Sequence, residues 1–514
     1  MVGLLAVFAT VVYTLVRPGG VNARSFDKVS HGISSRNCGA SIVYKISGRG
    51  TWLITCCSLV IITCMHALPV AATRLLALLP PLILASFTAS ASDPDYLSYE
   101  RPVRKSVLEV EGSFGAMAPA EDKIPAAERR ITRIRNFLWQ DASLQLKPRS
   151  YYFDRQRDDT ADSQAWTLGG ALAYRTGWLR ERLKLGATLY SSQKLYGPDG
   201  KDGTLLLKPG QNGFTVPGES QLTARVTEQV MLRLYRQDIN LPYVNRQDNR
   251  MVPNTFEAYL LFDNEDPRLN YLGGHLRQMK RRNETGFISM SEAAGARDTD
   301  KGVTTLGARY SFSDKTDIGA INYHGWDVMN IFYTEGNVVR ALGEDLALRI
   351  SAQYTDQRGV GDKRIGDFET RAIGGKLAIS YRHAILSLAF SSIDNNSGIR
   401  SPWGGYPGYL SLVNKDFDRA GEDAWLVGVS YDFSRLGLAG LSAFANYASG
   451  DTPDSGSKAS PDQKELDLTL DYRFSDTPDG LWIRARTAFV DQDGHAGEDS
   501  QDYRLIVNYS VPLK

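Results

Sequence analysis

Arginines and lysines recur at alternate positions within runs that are otherwise apolar. Arg484 and Arg486 alternate with Ile483, Ala485 and Thr487; Arg504 stands between Tyr503 and Leu505; Arg349 stands between Leu348 and Ile350. The same spacing puts Lys147, Arg149, Arg155, Lys184, Arg225 and Arg309 on the polar faces of their segments. A guanidinium keeps its charge at any physiological pH and offers a planar fork of donors that matches a carboxylate. Such groups aligned along one wall attract anions and hand a carboxylate from one to the next, provided each hold is weak enough to release. The plainer reading is that they are solvated or locally paired, since Asp432, Asp467 and Asp471 share the same polar faces.

No other residue set competes with these. His275, His324, His383 and His495 are widely spaced and read as loop or interface residues. No Gly-x-Ser-x-Gly turn, metal-spaced histidine pair or phosphate loop is present, so the expectation is no catalytic residue, no metal and no cofactor. All four cysteines (Cys38, Cys56, Cys57, Cys64) precede residue 65, which excludes a disulfide framework from the remainder of the chain.

The elements that position the basic residues are strands. Leu466, Leu468, Leu470, Tyr472 and Phe474 share one face, with Asp467, Thr469, Asp471 and Arg473 on the other. Tyr503, Leu505, Val507 and Tyr509 oppose Arg504 and Asn508. The alternation recurs at Lys184–Tyr190, Leu306–Phe312, Leu346–Tyr354, Ala424–Phe433 and Leu441–Tyr447. After residue 91 no run of apolar residues is long enough for a transmembrane helix. A soluble antiparallel sheet hides its apolar face in a core; a membrane barrel turns it to lipid and keeps the polar face in a lumen. Strands of about 9–11 residues, aromatics at strand ends, and short turns such as Asp476–Gly480 alternating with long loops such as Ile393–Glu422 and Gly450–Gln463 favour the barrel. The pattern predicts about 16–18 strands, with an even number favoured. Pro148 is an irregularity inside the first strand pattern.

Met65 opens a secretory signal: Arg74 supplies the charge, Leu75–Leu84 the apolar core, and Ala89-Ser90-Ala91 the small-residue cleavage site. Residues 1–64 read as a non-native extension upstream of the working start. The other reading, a membrane extension, rests on two apolar stretches, Leu4–Val16 and Trp52–Thr63. The expected organisation is therefore extension 1–64, signal peptide 65–91, periplasmic segment 92–136 and barrel 137–514. Residues 1–91 contribute seven basic residues and one acidic, so the chain beyond them holds 52 basic against 57 acidic residues. That balance points to no nucleic-acid partner.

The chain resembles the OprD family of substrate-specific outer-membrane porins. The resemblance runs over the whole region after the signal. It is carried by Ala142-Ser-Leu-Gln-Leu-Lys-Pro-Arg-Ser-Tyr-Tyr-Phe-Asp-Arg155, by Leu241-Pro242 with Arg250-Met-Val-Pro-Asn-Thr-Phe256, by Trp482-Ile-Arg-Ala-Arg486, and by Tyr503-Arg-Leu-Ile-Val-Asn-Tyr509. It implies an all-β, transmembrane antiparallel barrel of about 18 strands, with loops folded into the lumen and a basic ladder. Matched motif by motif, that ladder is Arg149, Arg155, Arg225, Arg484, Arg486 and Arg504. The resemblance also implies a place near the constriction for Arg250, and alternation adds Arg349. The implied function is passive uptake of small organic acids or amino acids across the outer membrane. The partner expected with it is outer-membrane lipid, and the expected assembly is a monomer or homotrimer. Two departures stand out. The segment Gly404-Gly405-Tyr406-Pro407-Gly408-Tyr409 lacks the carboxylate of the branch that takes basic amino acids, which leans towards simple carboxylates. The chain ends in Lys514, where barrels commonly end in an apolar or aromatic residue. The alternatives are a barrel enzyme such as a protease or lipase, and a plugged structural or adhesive barrel.

Overall fold

The computed structural model describes residues 132–514, apart from 159, 264, 475–479 and 494–498. The expected extension and signal peptide, most of the periplasmic segment, residues 476–479 of the short turn and His495 lie outside the described residues. The description begins in a helical segment that ends in the wide turn Asn136–Gln140, which leads into the first strand at Ser143.

Among the described residues, eighteen long strands run from Ser143–Arg157 to Ser500–Asn508, with two further two-residue strands at Ile288–Ser289 and Val511–Pro512. Each long strand pairs antiparallel with its neighbours. The first and last pair from Arg149↔Asn508 to Arg157↔Ser500, which closes the sheet on itself. Closure satisfies every ladder and leaves no edge, the condition for a sheet to cross a bilayer. No described helix is long and apolar enough to span a membrane.

The period-two pattern sets the faces. Leu168, Leu172, Leu189, Leu306, Phe312, Ile318, Ile350, Ile373 and Phe390 point outward and are exposed in the isolated chain, on the surface that lipid covers. Thr167, Thr188, Gln353, Asp467, Thr469, Asp471 and Asp502 point inward and are buried. Several strands are longer than a bilayer needs, up to 15 residues in Ser143–Arg157, and carry the ladder beyond the membrane. Aromatic pairs sit at strand ends, as at Tyr472 and Phe474 (ring centroids 4.7 Å apart) and Tyr431 and Phe433 (5.0 Å).

Pro148 has a physical account. It falls opposite the break between Asn508 and Val511 in the last strand, where the closing ladder is interrupted. Its missing N–H therefore costs no ladder bond, while its carbonyl still accepts from the Tyr509 N–H at 3.0 Å. On its other side stands Gly170, with φ +128°, where a Cβ would meet the Lys147 carbonyl oxygen at 2.0 Å. Only glycine fits this crossing.

The largest apolar core lies in the lumen rather than between two sheets. It is built from inward wall residues such as Phe256, Tyr323 and Tyr333, together with loop residues Leu241, Tyr243, Met290, Trp403 and Tyr406. Three loops, 238–254, 281–302 and 394–422, fold in and knit to one another. Asn245 and Gly405 exchange hydrogen bonds at 3.0 and 2.8 Å, and Trp403 Nε1 donates to the Met290 carbonyl at 2.8 Å.

Candidate functional site

The registers of the closing strands stack the basic residues in rows. Phe153 faces Arg504, Arg504 faces Arg486, and Arg486 faces Thr469, so one row crosses four strands. One step towards the long-loop rim, Arg155 faces Asp502. One step towards the other rim, Arg484 stands opposite Asp471. Arg149 lies beyond that, opposite Asn508. Every one of these residues occupies an inward position.

Two like charges facing each other, as at Arg486 and Arg504, are costly unless screened. Asp502 supplies the compensation. It accepts from Arg155 at 2.6 and 2.9 Å, and from Arg504 Nε at 3.1 Å. Arg486 Nε donates to Thr469 Oγ1 at 3.0 Å. Three guanidiniums converge on the Phe153 ring: Arg504 at 4.8 Å, Arg250 at 5.2 Å and Arg155 at 5.5 Å from its centroid. The ring's negative face helps hold this cluster, in which Arg155 and Arg504 share the Asp502 carboxylate.

Loop 238–254 crosses the lumen from this wall. Asp248 receives Arg149 Nη1 at 2.6 Å, and Arg250 donates to the carbonyls of Thr204 (2.9 Å) and Asn249 (2.8 Å). Burial and the neighbouring Arg504 act against the charge of the Arg250 guanidinium and hold its pKa well below the usual value. At the other end Tyr243 is fully buried, its hydroxyl 2.8 Å from Thr355 Oγ1 and its ring 6.0 Å from Tyr333. The loop thus joins opposite walls and narrows the path, as the Leu241-Pro242 and Arg250–Phe256 motif implied.

The structure brings Arg149, Arg155, Arg250, Arg484, Arg486 and Arg504 to one wall. It does not bring Arg225 or Arg349 there. Arg225 lies at the short-turn rim over the Trp178 ring at 4.7 Å, with Lys184 at 6.0 Å from the same ring. Arg349 points inward from Leu346–Gly359, across the barrel. Arg309 is paired with Asp317 at 2.7 Å. Several ladder positions are charge-compensated in place, most fully Arg484, which grips Asp471 with two bonds of 2.7 and 2.6 Å. Asp432 caps the turn at Ser434 N (2.8 Å) instead of pairing with a ladder arginine.

Alternation alone could have found two cations that the sequence analysis missed. Arg175 sits inward over Gly186 and bonds Glu219 at 2.6 Å; Arg233 sits inward over the Phe262 ring at 5.2 Å. No sequence signal marks Asp248 or Asn414, which reach the wall from loops. Below the constriction lies a cavity of about 360 Å³ bordered by Lys147, Arg149, Arg175 and Trp482, with Glu219, Asp238 and Asp248 as acids. His275 and His324 face outward, near Thr304 (3.2 Å) and against Trp326 (4.7 Å) respectively. Among the described residues no cluster of His, Cys, Asp or Glu is arranged to hold a metal.

Residues 136–513 match the model of the outer membrane porin, OprD family. The chain belongs to the OprD family. It is similar to the porin-like protein GalP of Pseudomonas putida, 23% identical over 385 residues, which cover 73% of this chain and 92% of that one. Among solved structures it is similar to OccK9 (OpdG) of Pseudomonas aeruginosa, with 25% identity and a TM-score of 0.67, covering 73% of this chain and all of the other. OpdK of the same organism, solved with vanillate, aligns with 24% identity and a TM-score of 0.65 over the same shares. This OprD-family chain is an outer-membrane channel for small molecules and not an enzyme.

Proposed function

We propose that this porin takes up small carboxylate-bearing nutrients passively, along the inward basic residues Arg149, Arg155, Arg250, Arg484, Arg486 and Arg504, with Arg225 and Arg349 flanking the path. The observation that carries the reading is the cluster at Phe153, where three guanidiniums converge on one ring and two of them, Arg155 and Arg504, share Asp502. An anion entering it exchanges with protein oxygens already bonded to the arginines, so each hold is strong enough to select and weak enough to release. The pairing of Arg484 with Asp471 and of Arg149 with Asp248 extends that exchange along the wall. The neighbour OpdK was solved with vanillate, an aromatic carboxylate, which agrees with this class. The loop segment Gly404–Tyr409 carries no carboxylate, which favours simple acids over basic amino acids. The processed chain is proposed to begin near Ser92, with residues 137–514 as the barrel.

Liposome swelling with a panel of monocarboxylates, basic amino acids and neutral sugars of matched size tests the reading. Faster entry of the carboxylates is expected. Equal entry of sugars and carboxylates would remove the basis for a carboxylate path.

A further inference from the structure

Asn414, in the infolded loop 394–422, reaches the most basic point of the wall. Its Oδ1 accepts from Arg155 Nη2 and, at 2.9 Å, from Arg504 Nη2. One neutral amide oxygen therefore bridges two guanidiniums, the position that a carboxylate oxygen would occupy. Its Nδ2 is buried and has no hydrogen-bond partner. The surroundings of this side chain thus satisfy an acceptor and fail a donor, the preference of a carboxylate rather than of an amide.

The segment carrying Asn414 is held by its backbone. Glu465 accepts from Asn414 N at 2.8 Å and from Lys415 N at 2.7 Å, and Asp467 accepts from Val413 N at 3.1 Å. Both carboxylates belong to the neighbouring wall strand Gln463–Arg473. Three bonds from the wall to loop amides set the Asn414 side chain against the arginines, without a bond to its amide nitrogen. The element is a short clasp that a competing anion can displace at one atom.

We propose that Asn414 is an internal stand-in for substrate: its Oδ1 fills the carboxylate subsite between Arg155 and Arg504 as a plug that an incoming anion displaces, while the backbone of residues 413–415 stays bonded to the wall. This rests on the carboxylate reading above and adds a residue that sets the threshold for it. Residue 414 controls the anion concentration needed to occupy the subsite; the arginines provide the binding.

The test uses the full-length porin in planar bilayers, with chloride current measured against increasing sodium benzoate. Asn414→Ala removes the competing oxygen with its two charge-assisted hydrogen bonds and is expected to lower the benzoate concentration for half-block by at least about tenfold, the scale of one such bond. Asn414→Asp supplies a tethered carboxylate of the same size and is expected to raise that concentration. Heat-modifiable gel migration checks that both variants are assembled barrels. Half-block at the same concentration in the wild type and both variants overturns the plug while leaving the carboxylate path intact. A wild-type current indifferent to benzoate, with both variants equally indifferent, overturns the path and the plug together.

Discussion

Removing Arg484 and Arg486 together reverses the local charge of the wall. Arg484 is bonded twice to Asp471, a buried inward carboxylate, while Arg486 is bonded to the neutral hydroxyl of Thr469. The three side chains therefore sum to one positive charge, and the double variant Arg484→Ala/Arg486→Ala leaves one negative. At about 8 Å through lumen water, a change of two charges alters the energy of a monovalent ion by about 1 kcal/mol. Anions lose and cations gain, so the difference between them reaches about 2 kcal/mol before screening. At 0.1 M salt the Debye length is about 10 Å, which reduces this to roughly 1 kcal/mol, or about fivefold in the chloride-to-potassium permeability ratio. Reversal potentials across a potassium chloride gradient read that ratio directly. The effect should shrink at 1 M salt. Arg484→Ala/Asp471→Ala is the control: it removes the same ion pair, keeps the local charge and should leave the ratio near the wild-type value. An unchanged reversal potential in the arginine double variant would refute the claim that these groups set the field of the path. A shift of equal size in the control would show that the cause is altered packing.

Trp403→Ala empties a fully buried site and leaves the Met290 carbonyl without its indole donor. The expected loss is about 3–5 kcal/mol from the knot of infolded loops, read as noisier open-channel current and easier proteolysis of the loops. Asp418, in loop 394–422, is pushed up to about 7 by burial first and then by Asp416 and Glu422. A folded value above the unfolded one gives stability that is complete below about pH 4 and lost as pH rises through about 7. The infolded loop is therefore expected to open more often at pH 8 than at pH 5 in single-channel records, and Asp418→Asn should flatten that dependence. Mass spectrometry of the chain secreted from Met65 should find an N-terminus near Ser92.

Period-two alternation was enough to read the barrel and the inward face of every ladder residue. A strand places successive side chains on opposite sides, and the bilayer demands that one side be apolar throughout. Arg484, Arg486 and Arg504 are inward for that reason alone, and so are Arg175 and Arg233, whose segments carry the same signal. Pro148 was legible only as an oddity, because its place opposite the interrupted end of the last strand depends on closure between residues more than 350 positions apart.

Tertiary structure alone decided how the charges are shared. Whether an arginine stands open, stacks on a ring or grips a carboxylate depends on strand register and on loops that return from far along the chain. The sequence shows that Arg155 and Arg504 point inward; only folding brings Asp502 between them, Phe153 beneath them and Asn414 across them. Local alternation specifies a direction for each side chain. Distances between groups on different strands and loops come from the closed ladder and the infolded loops, and the electrostatics of the path follow from those distances.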